Sequence, residues 1–87
     1  VKDAQKFISE AKSGVVTVVF KKINTEEIRV MPCTLNSDVA GKDIVIKDFD
    51  ALSDNLVVWC LDKDAYRSFR VNTVIKWYTG YPEGYEL

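Results

Sequence analysis

Histidine is absent from the 87 residues. Its absence removes His-based catalytic triads, the usual neutral-pH general base and the commonest metal ligand. Cysteine is scarce: Cys33 and Cys60 are the only two. Two thiols without histidine cannot complete a structural zinc site, and small secreted folds stapled by disulfides normally carry four or more. Glycine occurs four times, scattered along the chain, so no glycine-rich phosphate loop is present. No stretch approaches the roughly 18 apolar residues that a membrane-spanning helix needs. The opening residues are charged and amphipathic, which predicts no secretory leader, no membrane partner and a reducing cytoplasm as the compartment.

What is present suits one soluble globular domain over 1–87. Apolar residues make up 47% and charged residues 29%. A chain this short supports one core but no cleft between domains. The net charge of −1 is unevenly spread. Residues 1–35 hold six basic and four acidic side chains, and residues 57–80 hold four basic and two acidic, so each stretch is +2. Residues 36–56 are −3, through Asp38, Asp43, Asp48, Asp50 and Asp54 against Lys42 and Lys47. Residues 80–87 form an acidic tail with Glu83 and Glu86. A protein that coats DNA by bulk charge is excluded, whereas a local basic face is not.

Ala4, Phe7, Ile8 and Ala11 recur at helical spacing and predict a helix over 3–12. Asp3 is placed to cap it, and Gly14 to end it in a left-handed conformation. The period then changes. Residues 15–22 (VVTVVFKK) are apolar on both faces and predict a strand covered on both sides, one of them by the helix. Asn24 suits the turn into a second strand over 27–35 (EIRVMPCTL), where Pro32 marks an edge or a bulge. Residues 36–55 are irregular; Ile44, Val45 and Ile46 form a candidate short strand, with Phe49 and Leu52 as loop anchors. Residues 56–61 (LVVWCL), 66–71 (YRSFRV) and 73–79 (TVIKWYT) predict three more strands, with Trp59, Phe69, Val71, Val74 and Ile75 in the core. One helix and five or six short strands predict a mainly β (α+β) fold: a small, strongly bent antiparallel barrel over 15–79. Cys33 and Cys60 read as reduced, buried small hydrophobes; a disulfide is open to them only if their strands are neighbours.

Two stretches carry a resemblance. Residues Met31-Pro32-Cys33-Thr34-Leu35-Asn36 and the run 56–74 (LVVWCLDKDAYRSFRVNTV) resemble a family of small tailed-phage proteins. That family is described as an SH3-like or Sm-like β-barrel related to the WYL domain. The resemblance implies the same barrel here, preceded by the helix. It implies a regulatory or ligand-sensing role through basic residues on the barrel, in the host-cell cytoplasm. The namesake tripeptide is approximated by Trp77-Tyr78-Thr79, and no helix-turn-helix accompanies the barrel.

Catalysis has little to stand on. The aspartates of 43–54 fall in a solvated loop. A calcium loop begun at Asp48 places Ser53 where glycine is required and Trp59 where a bidentate glutamate is required. A cysteine nucleophile lacks a histidine base. The expectation is therefore a non-enzymatic module without cofactor or metal. The strongest positive signal is the interleaving of charge and rings late in the chain. Lys63, Arg70 and Lys76, with Arg67 and Tyr78 beside them, form the candidate ligand-binding set. Such residues hold single-stranded nucleic acid or a nucleotide by tracking phosphates and stacking on bases. Asp48 and Asp50 would compete with phosphate for those side chains. The alternative partner is a host protein, docked on strand edges or on the acidic loop.

Overall fold

The computed structural model describes residues 4–46 and 52–85. It is a small α+β protein with an N-terminal helix and a five-stranded antiparallel sheet. The helix α1 (Ala4–Ser13) is followed by β1 (Val15–Lys21), β2 (Ile28–Thr34), a single helical turn α2 (Ser37–Ala40), β3 (Asn55–Cys60) and β4 (Ala65–Arg70). A 3₁₀ turn (Val71–Thr73) leads into β5 (Val74–Thr79). The strand order is β4-β3-β2-β1-β5, so β4 and β5 form the two edges. No helix among the described residues is long and apolar enough to cross a membrane.

α1 buries the stripe its sequence announces, with Phe7 and Ala11 in the core and Ala4 and Ile8 against it. The Asp3 cap lies outside the described residues. The end of the helix differs from the expectation. Gly14 does not take the left-handed conformation; its N–H bonds the Glu10 carbonyl at 3.1 Å instead. The unpaired carbonyls of the last turn find partners on the chain leaving β2. The Leu35 N–H donates to Ala11 O at 2.9 Å, and Asn36 Nδ2 donates to Lys12 O at 3.0 Å. Thr34 Oγ1 donates to Gly14 O at 2.7 Å, which satisfies a fully buried hydroxyl.

On one sheet face Val16, Val18 and Phe20 of β1 meet Met31 and Cys33 of β2, Leu56, Val58 and Cys60 of β3, and Phe69 of β4. The alternate residues Thr17, Val19, Pro32, Thr34 and Trp59 are buried too, so the central strands are covered on both faces. That explains why β1 is apolar on both faces, with Thr17 its one buried polar residue. Pro32 lies inside a central strand, yet its missing donor costs little. β2 pairs with β3 only at Cys33 and Thr34, and Pro32 closes that short ladder as an acceptor, from the Leu61 N–H at 2.9 Å.

Several expected details are corrected. Ile75 is 58% exposed rather than core. A bulge between Val19 and Phe20 sets Val74 opposite Phe20 and Trp77 opposite Val18, leaving Ile75 as the extra, outward residue. Val74 is only partly buried. Residues 43–46 form no strand, because their amides go to side chains: Ile44 N–H donates to Ser37 Oγ and Val45 N–H to the Tyr66 hydroxyl, each at 3.0 Å. Leu52 is fully exposed rather than tucked under the loop, while Phe49 lies outside the described residues. The left-handed residue of the first hairpin is Glu26, at φ 60°, not Asn24. Asn36 opens α2 rather than a bare turn, its side chain accepting from the Asp38 and Val39 amides.

The Phe7 ring meets Phe69 of β4 edge-on at 5.9 Å and Trp77 of β5 edge-on at 5.3 Å. Phe7→Ala is therefore expected to cost about 3–5 kcal/mol, the usual range for a buried ring. The shift of the denaturant midpoint measures it, and an unchanged midpoint would mean that α1 does not brace the two edges.

Candidate functional site

The first hairpin and the β3–β4 corner enclose an open cleft of about 480 Å³. Its floor is apolar, made by Phe20, Met31 and Phe69. Phe20 and Phe69 stack at 5.3 Å, which fixes the hairpin against β4. Its rim is basic. Lys21 and Lys22 come from the end of β1 and the hairpin loop, Arg29 from β2, Lys63 from the β3–β4 turn, and Arg67 and Arg70 from β4. Among the described residues, no carboxylate lines the cleft.

Two backbone hydrogen bonds close the hairpin at its base. Lys22 N–H donates to Glu27 O at 2.8 Å, and Glu26 N–H donates back to Lys22 O at 2.9 Å. The β3–β4 turn is tight, with Asp64 left-handed at φ 53°. These two turns present their lysines to the same space. β4 is an edge strand, so side chains of opposite parity both reach the cleft. Arg67 stands opposite Val58 and Arg70 opposite Asn55, on alternate faces as the sequence predicts. Both are exposed, and Arg67 Nη1 donates to the Tyr66 carbonyl at 3.0 Å.

Arg29 is held differently. Its Nη2 donates to both carboxylate oxygens of Asp62 at 2.9 Å, and its Nη1 donates to Val30 O at 2.6 Å. The two side chains of the pair are 21% and 24% exposed. Hydrogen bonding to Asp62 raises the Arg29 guanidinium further above its ordinary value, outweighing partial burial. Burial pushes Asp62 up, but its hydrogen bonds from Arg29 and Cys60 prevail and hold it below the ordinary aspartate range. Arg29 is thus a cation committed to Asp62, whereas the lysines and β4 arginines of the rim are exposed and in no ion pair among the described residues.

The five residues singled out by sequence divide in two. Lys63, Arg67 and Arg70 gather in the cleft. Lys76 and Tyr78 are on β5, at the opposite edge of the sheet, where Lys76 Nζ lies 6.0 Å from the Tyr78 ring centroid. Sequence reasoning missed Lys21, Lys22 and Arg29, although the +2 of residues 1–35 was the signal for them. Asp48 and Asp50, the expected competitors for phosphate, lie outside the described residues. Among the described residues, no group of three His, Cys, Asp or Glu side chains could hold a metal ion.

The rim can bind anions by charge and hydrogen bonding, and the floor can take a flat apolar group. Among the described residues that line the cleft, no hydroxyl is paired with a basic side chain, and the Thr73 hydroxyl donates to the Arg70 carbonyl. No family model matches the chain, and no curated protein and no solved structure matches it.

The Arg29–Asp62 pair makes stability depend on acid. Because the folded-state value of Asp62 is depressed, its contribution is complete above the unfolded-state value near pH 4 and disappears as pH falls through the folded-state value. Asp62→Ala is expected to destabilise by about 1 kcal/mol at pH 6, a magnitude reduced by its partial exposure. The gap from wild type should narrow toward pH 2, as followed by denaturant unfolding at each pH.

Proposed function

We propose that this chain is a non-enzymatic binding module, built as a small SH3-like or Sm-like barrel, whose basic cleft takes the phosphates of single-stranded nucleic acid or of a nucleotide. The cleft carries this reading: five exposed cations, in no ion pair among the described residues, stand around an apolar floor. Lys21, Lys22, Lys63, Arg67 and Arg70 would meet phosphate oxygens, and the Phe20–Phe69 floor would bear against sugar or base. The barrel reading is supported by the strand order and by the three-residue 3₁₀ turn that alone separates edge strands β4 and β5. Membership of the tailed-phage family with a WYL-like barrel belongs to the same reading and rests on residues 31–36 and 56–74. A second reading, docking of a host or phage protein, is favoured by Ile28 and Val30, exposed on one face of β2.

Three to five phosphate contacts on a single strand give a log–log salt slope between about −2 and about −3.5. Titration of a labelled oligonucleotide and of a nucleoside triphosphate should show micromolar or weaker affinity at low salt that fades as salt rises. The triple variant Lys22→Ala, Arg67→Ala, Arg70→Ala should weaken binding at least about tenfold and flatten the slope by about 2. Lys76→Ala, at the other edge, should change neither. Absence of low-salt binding would overturn the reading, and capture of a protein from nuclease-treated lysate would then favour the second.

A further inference from the structure

The sheet has one narrow seam. β1 pairs with β2 along the whole strand, and β3 pairs with β4 likewise, but β2 and β3 pair only at Cys33–Cys60 and Thr34–Trp59. The two cysteines of the chain face each other across that seam, both free and both fully buried. The Leu61 N–H to Pro32 O bond at 2.9 Å makes Pro32 and Leu61 a hydrogen-bonding position. The next pair along, Cys33–Cys60, is therefore a non-hydrogen-bonding pair. Such pairs hold their Cα atoms about 4.5 Å apart, with side chains on the same face. That spacing falls within the roughly 4.4–6.8 Å over which a disulfide spans two residues.

We propose that Cys33 and Cys60 are a disulfide site built into the seam between the β5-β1-β2 and β3-β4 halves of the sheet. The Cys60 side carries the polar neighbours: its Sγ donates to Asp62 Oδ1 at 2.7 Å and lies 3.8 Å from Arg29 Nη2. Cys33 is enclosed by apolar core. Cys60 is thus the entry sulfur and Cys33 the resolving one. The oxidant is a low-molecular-weight disulfide. The Cys60 thiolate attacks one of its sulfurs, the S–S bond breaks, and one small thiolate leaves. The Cys33 thiolate then attacks Cys60 Sγ in the mixed disulfide and expels the second small thiolate. The two protein thiol protons end on the two departing thiolates, so the protein dithiol loses two electrons to the reagent. Burial pushes both thiols up, so exchange on the closed fold is slow and the bond forms when the short seam opens or as the chain folds.

The bond would close a loop of 27 residues and tie together two halves that share little backbone pairing. Its test is an equilibrium, which slow exchange does not affect. The wild-type chain is refolded in glutathione redox buffers of graded ratio, approached from both the oxidised and the reduced side. Free thiols are then counted by trapping and mass spectrometry, and the same is done in denaturant. The native fold should favour the intramolecular disulfide over the denatured chain by on the order of 100-fold or more. The oxidised monomer should be lighter by two hydrogens and melt roughly 10 °C or more above the reduced one. Reductant should reverse both changes, and Cys33→Ser should abolish both. A native-to-denatured ratio at or below one, an oxidised form of lower Tm, or disulfide-linked dimers as the main product would overturn the proposal. The wild-type ratio decides the matter even if Cys33→Ser does not fold.

Discussion

Thr34, Leu35 and Asn36 take up the carbonyls at the end of α1, and through them the helix is moored to the strand that leaves the centre of the sheet. A ten-residue helix is marginal by itself in water. Here its carboxyl end is anchored by side-chain and backbone donors that follow directly from β2. That anchoring aims Phe7 into the core, where it touches one ring from each edge strand. A single side chain from the helix thereby bridges β4 and β5, the two edge strands that the 3₁₀ turn joins along the chain.

The parts of the fold that were legible in the sequence are those set by local period. The Ala4–Phe7–Ile8–Ala11 stripe gave the helix its buried face, and the two-sided apolar run of β1 marked a central strand. Alternation in 66–71 placed Arg67 and Arg70 on opposite faces. The errors arise where a nonlocal partner intervenes. Alternation alone sets Ile75 with Trp77, but the bulge opposite Phe20 inserts one residue and turns Ile75 outward. A left-handed Gly14 is the usual way to end a helix; here the donors arriving from residues 34–36 make that device unnecessary. Ile44–Ile46 has strand-like composition, yet Ser37 and Tyr66 take the amides of Ile44 and Val45.

The candidate site shows the same division. Lys63, Arg67 and Arg70 are close in sequence, so their grouping is legible there. Their companions Lys21 and Lys22 lie some forty residues away and reach them only because the first hairpin packs against β4 through the Phe20–Phe69 stack. Net charge hid the feature, since the acidic stretch 36–56 offsets the basic ones in the total. Arg29 would be counted with the other cations from composition; the structure sets it apart, because its charge is committed to Asp62.

The pairing of β1 with β5 joins Val16 to Thr79, residues at nearly opposite ends of the described chain. β1 has its β2 partner from an adjacent segment, but its other edge stays open until residues 74–79 have emerged from the ribosome. At about 5–20 residues per second, the 45 residues between the end of β2 and the end of β5 take roughly two to nine seconds to make. For that interval Val16, Val18 and Phe20 lie on a strand with unpaired amides, the combination that invites another chain to add itself. A central strand that is apolar on both faces is thus the one whose second neighbour arrives last, and its solubility during synthesis depends on how soon β5 closes that edge.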